Sequence, residues 1–423
     1  MKEVKGVSFK LKYVVVITDG MADYPVPELK NQTPLQAANT PTFAYLAKHG
    51  EVGMVKTIPE GMQPGSDTAN LSVMGYDPDR YYSGRSPFEA ISMGLDLAET
   101  DVVFRCNVVT LSEEEPYEEK VILDHSADEI SSEEARELIE AVNKHLRTDT
   151  MKFFPGVSYR HILVWNEAPF DFTFTPPHDI LGKKITEYLP KGPYGDLFHR
   201  MMRESSQFLS EHPVNIRRKE RGLNPANSIW IWGEGRKPAL PGFYEKYQLK
   251  GSVISAVDLI KGLGICAGLD SIDVEGVTGN YNTNYEGKAR AALEALSSGQ
   301  DLVYVHLEGP DECGHRYEIE NKVKAIEAID SRIVKPIIEE LDSKGEEYRL
   351  LILPDHPTPL CLRTHTSEPV PFLIYDSTDK KNNVGQIYDE EEAKKTGLYI
   401  QEGHQLMDYF IKGKKGLETT KTS

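Results

Sequence analysis

Three carboxylates and three imidazoles in this sequence stand at or soon after the ends of short apolar runs. Asp19 closes YVVVITDG (13–20). Asp311 and His315 fall late in DLVYVHLEGPDECGH (301–315), and Asp355 and His356 lie in YRLLILPDHP (348–357). His365 follows in LRTHTSEPVPF. Mixed Asp and His sets suit Mn²⁺, Zn²⁺ or related ions, whereas an all-oxygen cage suits Mg²⁺ or Ca²⁺. One Asp-His pair alone reads as a turn. Three such features at three strand ends point to bound cations, because burying that much polarity without a ligand is costly. Two cations side by side would bind a serine oxygen and a phosphate oxygen and offset charge during phosphoryl transfer.

Ser66, in PGSDTANLS (64–72), is the serine in question. It precedes a run that reads as the first turn of a helix, whose N–H groups favour a phosphate. Two readings stand: an N-cap, or a nucleophile that needs activation.

The elements that must position these groups read as follows. The three apolar runs predict buried strands of a parallel sheet. Helices are predicted over 40–50, with Thr40 as cap and Pro41 at the first position, over 286–299, and over 316–345 with a kink at Pro336. Asp311 and His315 share a face if their segment is helical; glycines at 309 and 314 make a loop an equal alternative. Strands alternating with helices imply an α/β layered fold, with ligands beyond the carboxyl ends of the strands. The middle differs: strand-like pieces at 101–111, 160–165 and 228–235 flank a helix that starts at Ser131, with Glu134 at capping-box spacing. We expect a discontinuous metal-binding domain, 1–85 and 241–423, and an inserted smaller α+β domain, 86–240. The segment 236–247 is the expected return hinge, and the basic tail 412–423 is expected to fray.

The 423 residues carry 48 Lys and Arg against 66 Asp and Glu, a formal charge of −18. Such a chain repels nucleic acid and anionic membranes, so an anionic substrate requires locally concentrated positive charge. Cys106, Cys266, Cys313 and Cys361 form no CxxC, which argues against a disulfide framework. The N-terminal apolar run is too short for a signal peptide, and no stretch is long enough to span a bilayer. A cytoplasmic protein is expected, with oligomeric state left open.

Taken in order, ITDGMAD, PGSDTANLSVMGYDP, SGRSPFEA, GPDECGH, PDHPTP and THTSEPVPF closely resemble the cofactor-independent phosphoglycerate mutases of archaeal type, in the alkaline phosphatase superfamily. The resemblance covers nearly the whole chain and extends to PGVSYRHILVW and EGVTGNYNTNYEGKA. It implies an alkaline-phosphatase-like domain with a mostly parallel sheet. Ser66 then matches the family's phosphorylated serine. Asp19, Ser66, Asp355 and His356 match the ligands of one metal, and Asp311, His315 and His365 those of the other. The implied metals are two divalent ions, Mn²⁺ foremost, with Zn²⁺, Co²⁺ or Mg²⁺ as alternatives. The implied reaction interconverts 3-phosphoglycerate and 2-phosphoglycerate without 2,3-bisphosphoglycerate. The alternative is a metal-dependent phosphatase or phosphonate hydrolase on the same core; a phosphate- or metal-binding sensor is a third reading.

The inserted domain must then hold glycerate, which calls for cations. Candidates are Arg160 with His161, Arg236 with Lys237, Lys261 and Arg85. His125, in ILDHSADEIS, is the candidate general acid or base, although Asp128-Glu129 stands where relatives are expected to carry Gly-His. His49, His145, His199 and His212 are read as structural or solvated, with no acidic partner pattern; His306 is read as a strand residue and His404 as a helix residue.

Overall fold

The strand Lys12–Thr18 is apolar almost throughout because it lies between two parallel neighbours in a sheet covered on both faces. This computed structural model describes residues 11–383 and 385–418. Within them the chain forms two compact units. One runs up to Tyr82 and resumes at Leu240; the other is Ser83–Ala239.

The first unit holds an eight-stranded, mostly parallel sheet. Its centre is the three strands expected from sequence. Thr18 lies opposite Leu307 of Leu302–Leu307, and Ile17 opposite Leu353 of Tyr348–Leu353, both in parallel register. Gly251–Ile254 extends the sheet beyond Leu302–Leu307, and Val370–Asp376 runs antiparallel beyond Tyr348–Leu353. Alternate residues Val14, Val16, Val303, Val305, Leu350 and Ile352 face one core, which Phe43, Leu46, Ala292, Ile326 and Ile337 fill from the helices.

The long helix expected over 316–345 is three pieces. Ile319–Ile329 and Lys335–Ser343 are joined by a π-helical turn, Asp330–Val334. That turn, rather than a proline kink in one continuous helix, absorbs Pro336. It also aims Asp330 at the helix Pro41–His49, where its carboxylate accepts from the N–H groups of Thr42 (3.2 Å) and Phe43 (2.7 Å). Thr40 occupies the cap position but makes no side-chain bond, so the capping group comes from a distant element. In the tail, Lys414–Glu418 is helical rather than frayed; 419–423 lie outside the described residues.

The second unit is an antiparallel five-stranded sheet around Val102–Leu111, which pairs with Arg160–Trp165, Ser228–Arg236 and Ile122–Asp124. Helices Ser132–Leu146 and Gly195–Ser210 contribute Leu138, Val142, Phe198 and Met202 to its core. Ser131 caps its helix through Glu134 N–H at 3.2 Å. The Glu134 side chain, however, binds Arg218 and Arg221 rather than closing a capping box. Among the described residues no helix is long and apolar enough to cross a membrane.

Candidate active site

The register of the central strands creates the site. Asp19, Glu308 and Asp355 follow three neighbouring parallel strands, so their carboxylates emerge at one edge of the sheet, at its carboxyl ends. The chain at Asp19-Gly20 must turn sharply there. Gly20 has φ +61°, and a Cβ on it would lie 2.6 Å from Asp311 Oδ1 and Thr358 Oγ1, so glycine is required. Its N–H donates to Asp355 Oδ1 at 3.2 Å.

Asp311 and His315 share one face of the helix Gly309–Arg316, with His315 Nε2 3.3 Å from Asp311 Oδ2. His365 Nε2 lies 3.3 Å from Asp311 Oδ1 and 2.9 Å from His315 Nε2. His315 Nδ1 donates to the Arg363 carbonyl at 3.0 Å, which leaves Nε2 facing its neighbours. On the other side, His356 Nε2 lies 3.6 Å from Asp19 Oδ1 and 3.5 Å from Asp355 Oδ2. The rings of His356 and His365 are 4.0 Å apart.

Ser66 is the first residue of the helix Ser66–Val73, and Gly65 holds the cap position in extended conformation. The serine side chain is therefore not spent on capping. Its Oγ lies 3.1 Å from His356 Nε2. Asn70, one turn on, donates to the Ser66 carbonyl and to Asp355 Oδ2, both at 2.8 Å, and accepts from Tyr304 O–H at 2.7 Å.

Buried charges of one sign perturb each other here. Burial first, then Asp355 and Asp311, push Asp19 well above the usual carboxylate range. Burial also acts to raise Asp311, but hydrogen bonds from His315 and His365 prevail and hold it well below. The same hydrogen bond pushes His315 up to about 9. Asp19 Oδ1 is buried with no hydrogen-bond partner. Donor atoms of Asp311, His315 and His365, and of Asp19, Asp311 and His356, lie within 4.8 Å of one another in each set. Orphaned carboxylate oxygen facing converging imidazoles is a donor set that fits divalent cations.

Four residues outside the expected ligand set complete this cluster. His306, read as an unremarkable strand residue, is fully buried between Asp19 Oδ2 (3.2 Å from Nε2) and Glu308 Oε1 (3.0 Å from Nδ1). Lys288 donates to Glu308 Oε2 at 3.1 Å and to the His306 carbonyl at 2.7 Å. Burial works to raise Glu308, but Lys288 and His306 drive it far below its ordinary value. Thr358 donates to Asp311 Oδ1 at 2.5 Å and lies 3.3 Å from His356 Nδ1. Glu308, immediately after a strand, was the legible signal.

The second unit carries a separate cationic group. Arg105, inside the apolar strand run and so missed, is buried against the Trp232 ring at 4.6 Å and pairs with Glu89 at 2.9 Å. Arg85 takes the other Glu89 oxygen at 3.2 Å. Burial lowers Arg105, and repulsion from Arg85 and Arg160 adds to this against Glu89. One carboxylate thus pairs with two guanidiniums, and Arg160 stands near enough to repel Arg105. His178, not singled out in sequence, packs edge-on against Trp232 at 5.3 Å and His125 at 6.1 Å. The His125 ring also meets Tyr159 at 5.5 Å.

Other candidates are engaged elsewhere. His161 is buried, and burial lowers it to about 3, so it is a neutral ring accepting from Gly156 N–H at 3.0 Å rather than a cation. Arg236 donates to the Ala168 carbonyl at 2.8 Å and Lys237 to that of Leu97 at 3.4 Å. Lys261 sits in the helix Asp258–Cys266 and pairs with Asp273 at 2.7 Å. His199 does have an acidic partner, Glu118 at 2.9 Å.

Comparison with known proteins agrees along the chain. The family described as 2,3-bisphosphoglycerate-independent phosphoglycerate mutase matches residues 47–215. A protein of that name from Methanosarcina barkeri is 51% identical over 405 residues, spanning 96% of this chain and 100% of the relative. A probable one from Geobacter sulfurreducens is 50% identical, over 95% and 100%. Among solved structures, a Pyrococcus horikoshii protein matches with TM-score 0.80 at 31% identity, over 96% of this chain and 98% of its own. A cofactor-independent phosphoglycerate mutase from Thermoplasma acidophilum matches with TM-score 0.64 at 28% identity, over 95% and 99%. With half its residues shared over nearly its full length, the chain belongs to the 2,3-bisphosphoglycerate-independent phosphoglycerate mutases.

Proposed function

We propose that the chain interconverts 3-phosphoglycerate and 2-phosphoglycerate through a phosphoserine on Ser66. The observation that carries this is Ser66 Oγ at 3.1 Å from His356 Nε2, beside three buried aspartates. Asp19, Ser66, Asp355 and His356 would hold one divalent ion and Asp311, His315 and His365 the other, Mn²⁺ for preference. When bound, these ions supply positive charge that lowers the cost of a serine alkoxide and of the charge on the moving phosphoryl group.

The chain's own residues do the rest. Ser66 oxygen attacks phosphorus, forming one P–O bond as the bond to the glycerate oxygen breaks. His125 gives the leaving oxygen its proton and takes one from the other glycerate hydroxyl when that attacks the phosphoserine. Glycerate turns between the two steps, so it needs anion-binding groups apart from the metal ligands. Arg85, Arg105, Arg160 and His178 are the groups we assign to its carboxylate and the phosphate. The Asn70 bonds to Ser66 and Asp355 keep the nucleophile and a ligand in fixed relation. We place the reaction in the cytoplasm, in keeping with four free cysteines.

The test is to supply 3-phosphoglycerate with Mn²⁺ and follow 2-phosphoglycerate and free phosphate together. Isomer formed with little phosphate released is the expected result. Rapid phosphate release with little isomer would instead establish the hydrolase alternative.

A further inference from the structure

His125 is held almost entirely by its backbone. Its imidazole Nδ1 is buried with no hydrogen-bond partner, and its ring meets Tyr159 and His178 only through edge contacts. Its carbonyl accepts from Asn107 Nδ2 at 3.2 Å. Where the imidazole stands therefore depends on the loop that carries it.

That loop is strained. Ala127, Asp128 and Glu129 have φ of 49°, 53° and 49°, three successive residues other than glycine in the left-handed region. A residue with a Cβ holds this backbone only where its surroundings enforce it. The enforcing group is Asp124, directly before His125. Its Oδ1 accepts from both N–H and O–H of Ser126 at 2.8 Å, and its Oδ2 from Asp128 N–H at 2.6 Å. Asn224, from beyond the helix Pro213–Glu220, locks the outside. Its N–H donates to Asp128 Oδ2 at 2.6 Å; its Nδ2 donates to Asp128 Oδ1 at 2.9 Å and reaches Asp124 Oδ2 at 3.4 Å. Buried Arg218 closes the clamp, donating to the Ala127 carbonyl at 2.6 Å and the Asn224 carbonyl at 2.9 Å. Burial works to raise Asp124, yet the N–H groups of Asp128 and Ser126 hold it below the ordinary range. It stays a charged acceptor at neutral pH.

The presence of Asp128 in this turn is thereby explained. A turn with φ near +50° is what glycine takes freely. Here Asp128 takes it because Asn224 and Asp124 bind both its side chain and its N–H.

We propose that Asp124, braced by Asn224, is a positioning residue that fixes the His125 imidazole for its acid–base role. Asp124 touches no substrate. It acts by holding the 124–129 loop in one geometry, so its loss is felt as misplacement of His125. The inference rests on the assignment of His125 under Proposed function.

The experiment is a double-mutant cycle on the full-length, Mn²⁺-loaded protein with Asp124→Asn, His125→Ala and the pair. The readouts are kcat, KM for 3-phosphoglycerate, and bound metal. An amide at 124 turns a donor toward Asp128 N–H and breaks the clamp. Expected are a fall in kcat of about tenfold or more for Asp124→Asn, KM within about threefold, unchanged metal content, and no further fall when Asp124→Asn is added to His125→Ala. If Asp124→Asn keeps full kcat, or costs as much without His125 as with it, the positioning role is wrong while the His125 assignment stands. If His125→Ala retains full kcat, the His125 assignment fails, and the positioning role with it. If Asp124→Asn does not fold, Asn224→Ala, which leaves both Asp124 and His125 in place, runs through the same cycle with the same criteria.

Discussion

His356 and Asp311 are joined through a single hydroxyl: Thr358 Oγ1 donates to Asp311 Oδ1 at 2.5 Å and stands 3.3 Å from His356 Nδ1. A hydroxyl that donates to the carboxylate can only accept from the ring, so His356 carries its proton on Nδ1. The Nε2 lone pair then points toward Ser66 Oγ and Asp19. One threonine thus sets the tautomer of one candidate ligand and braces another. Thr358→Val should weaken divalent-metal binding about 10- to 100-fold, with the apo protein still folded. Metal titration by calorimetry checks this; unchanged affinity would remove Thr358 from the site.

Ser66 makes no cap bond and has little structural work to lose. Ser66→Ala should lower turnover by at least about 10³-fold while most divalent metal remains bound, since six candidate ligands are untouched. Steady-state assay and elemental analysis of the same preparation decide it. Activity within tenfold of wild type would refute the nucleophile assignment.

Histidine must be neutral to bind a cation. Chelation should silence the enzyme reversibly, and activity should fall as pH drops and protons displace metal from the histidine nitrogens. Added Mn²⁺ should move that acid limb to lower pH, because metal competes with protons for the same nitrogens. A limb that does not respond to metal would have another origin.

Lys288 and Glu308 form a fully buried pair beside His306. Lys288→Met leaves Glu308 and His306 facing Asp19 without compensation. It should destabilise the protein by about 3–5 kcal/mol, read as a lowered urea midpoint. Adding Glu308→Gln should recover a large part of the loss.

Glu390 offers a pH-dependent stability term away from the metal ligands. It is buried, accepting from Thr33 O–H at 2.8 Å and Asp23 N–H at 3.2 Å, and burial pushes it up to about 7. Its folded pKa lies above its unfolded value, so the folded protein binds the extra proton. The stabilisation is complete below about 4.3 and is lost as pH rises through about 7. Glu390→Gln should flatten the stability difference between pH 5 and 8, by on the order of 2 kcal/mol. Parallel thermal melts across that range, compared with wild type, isolate the effect; identical slopes would exclude it.

The sequence by itself determined the three central strands and the acids beyond them, because runs such as Val14–Ile17 report burial on both faces whatever their neighbours. It also determined that Ser66 stands at the start of a helix, since helix starts are local properties. Only the tertiary structure decided partnership. His306 in its strand, Arg105 in an apolar run and Thr358 in a loop acquire meaning from residues tens to hundreds of positions away. The bonds of Arg236, Lys237 and Lys261 to Ala168, Leu97 and Asp273 are likewise set by the tertiary structure. Parallel register brings Asp19, Glu308 and Asp355 to one edge, and register is a property of the assembled sheet that no single strand encodes.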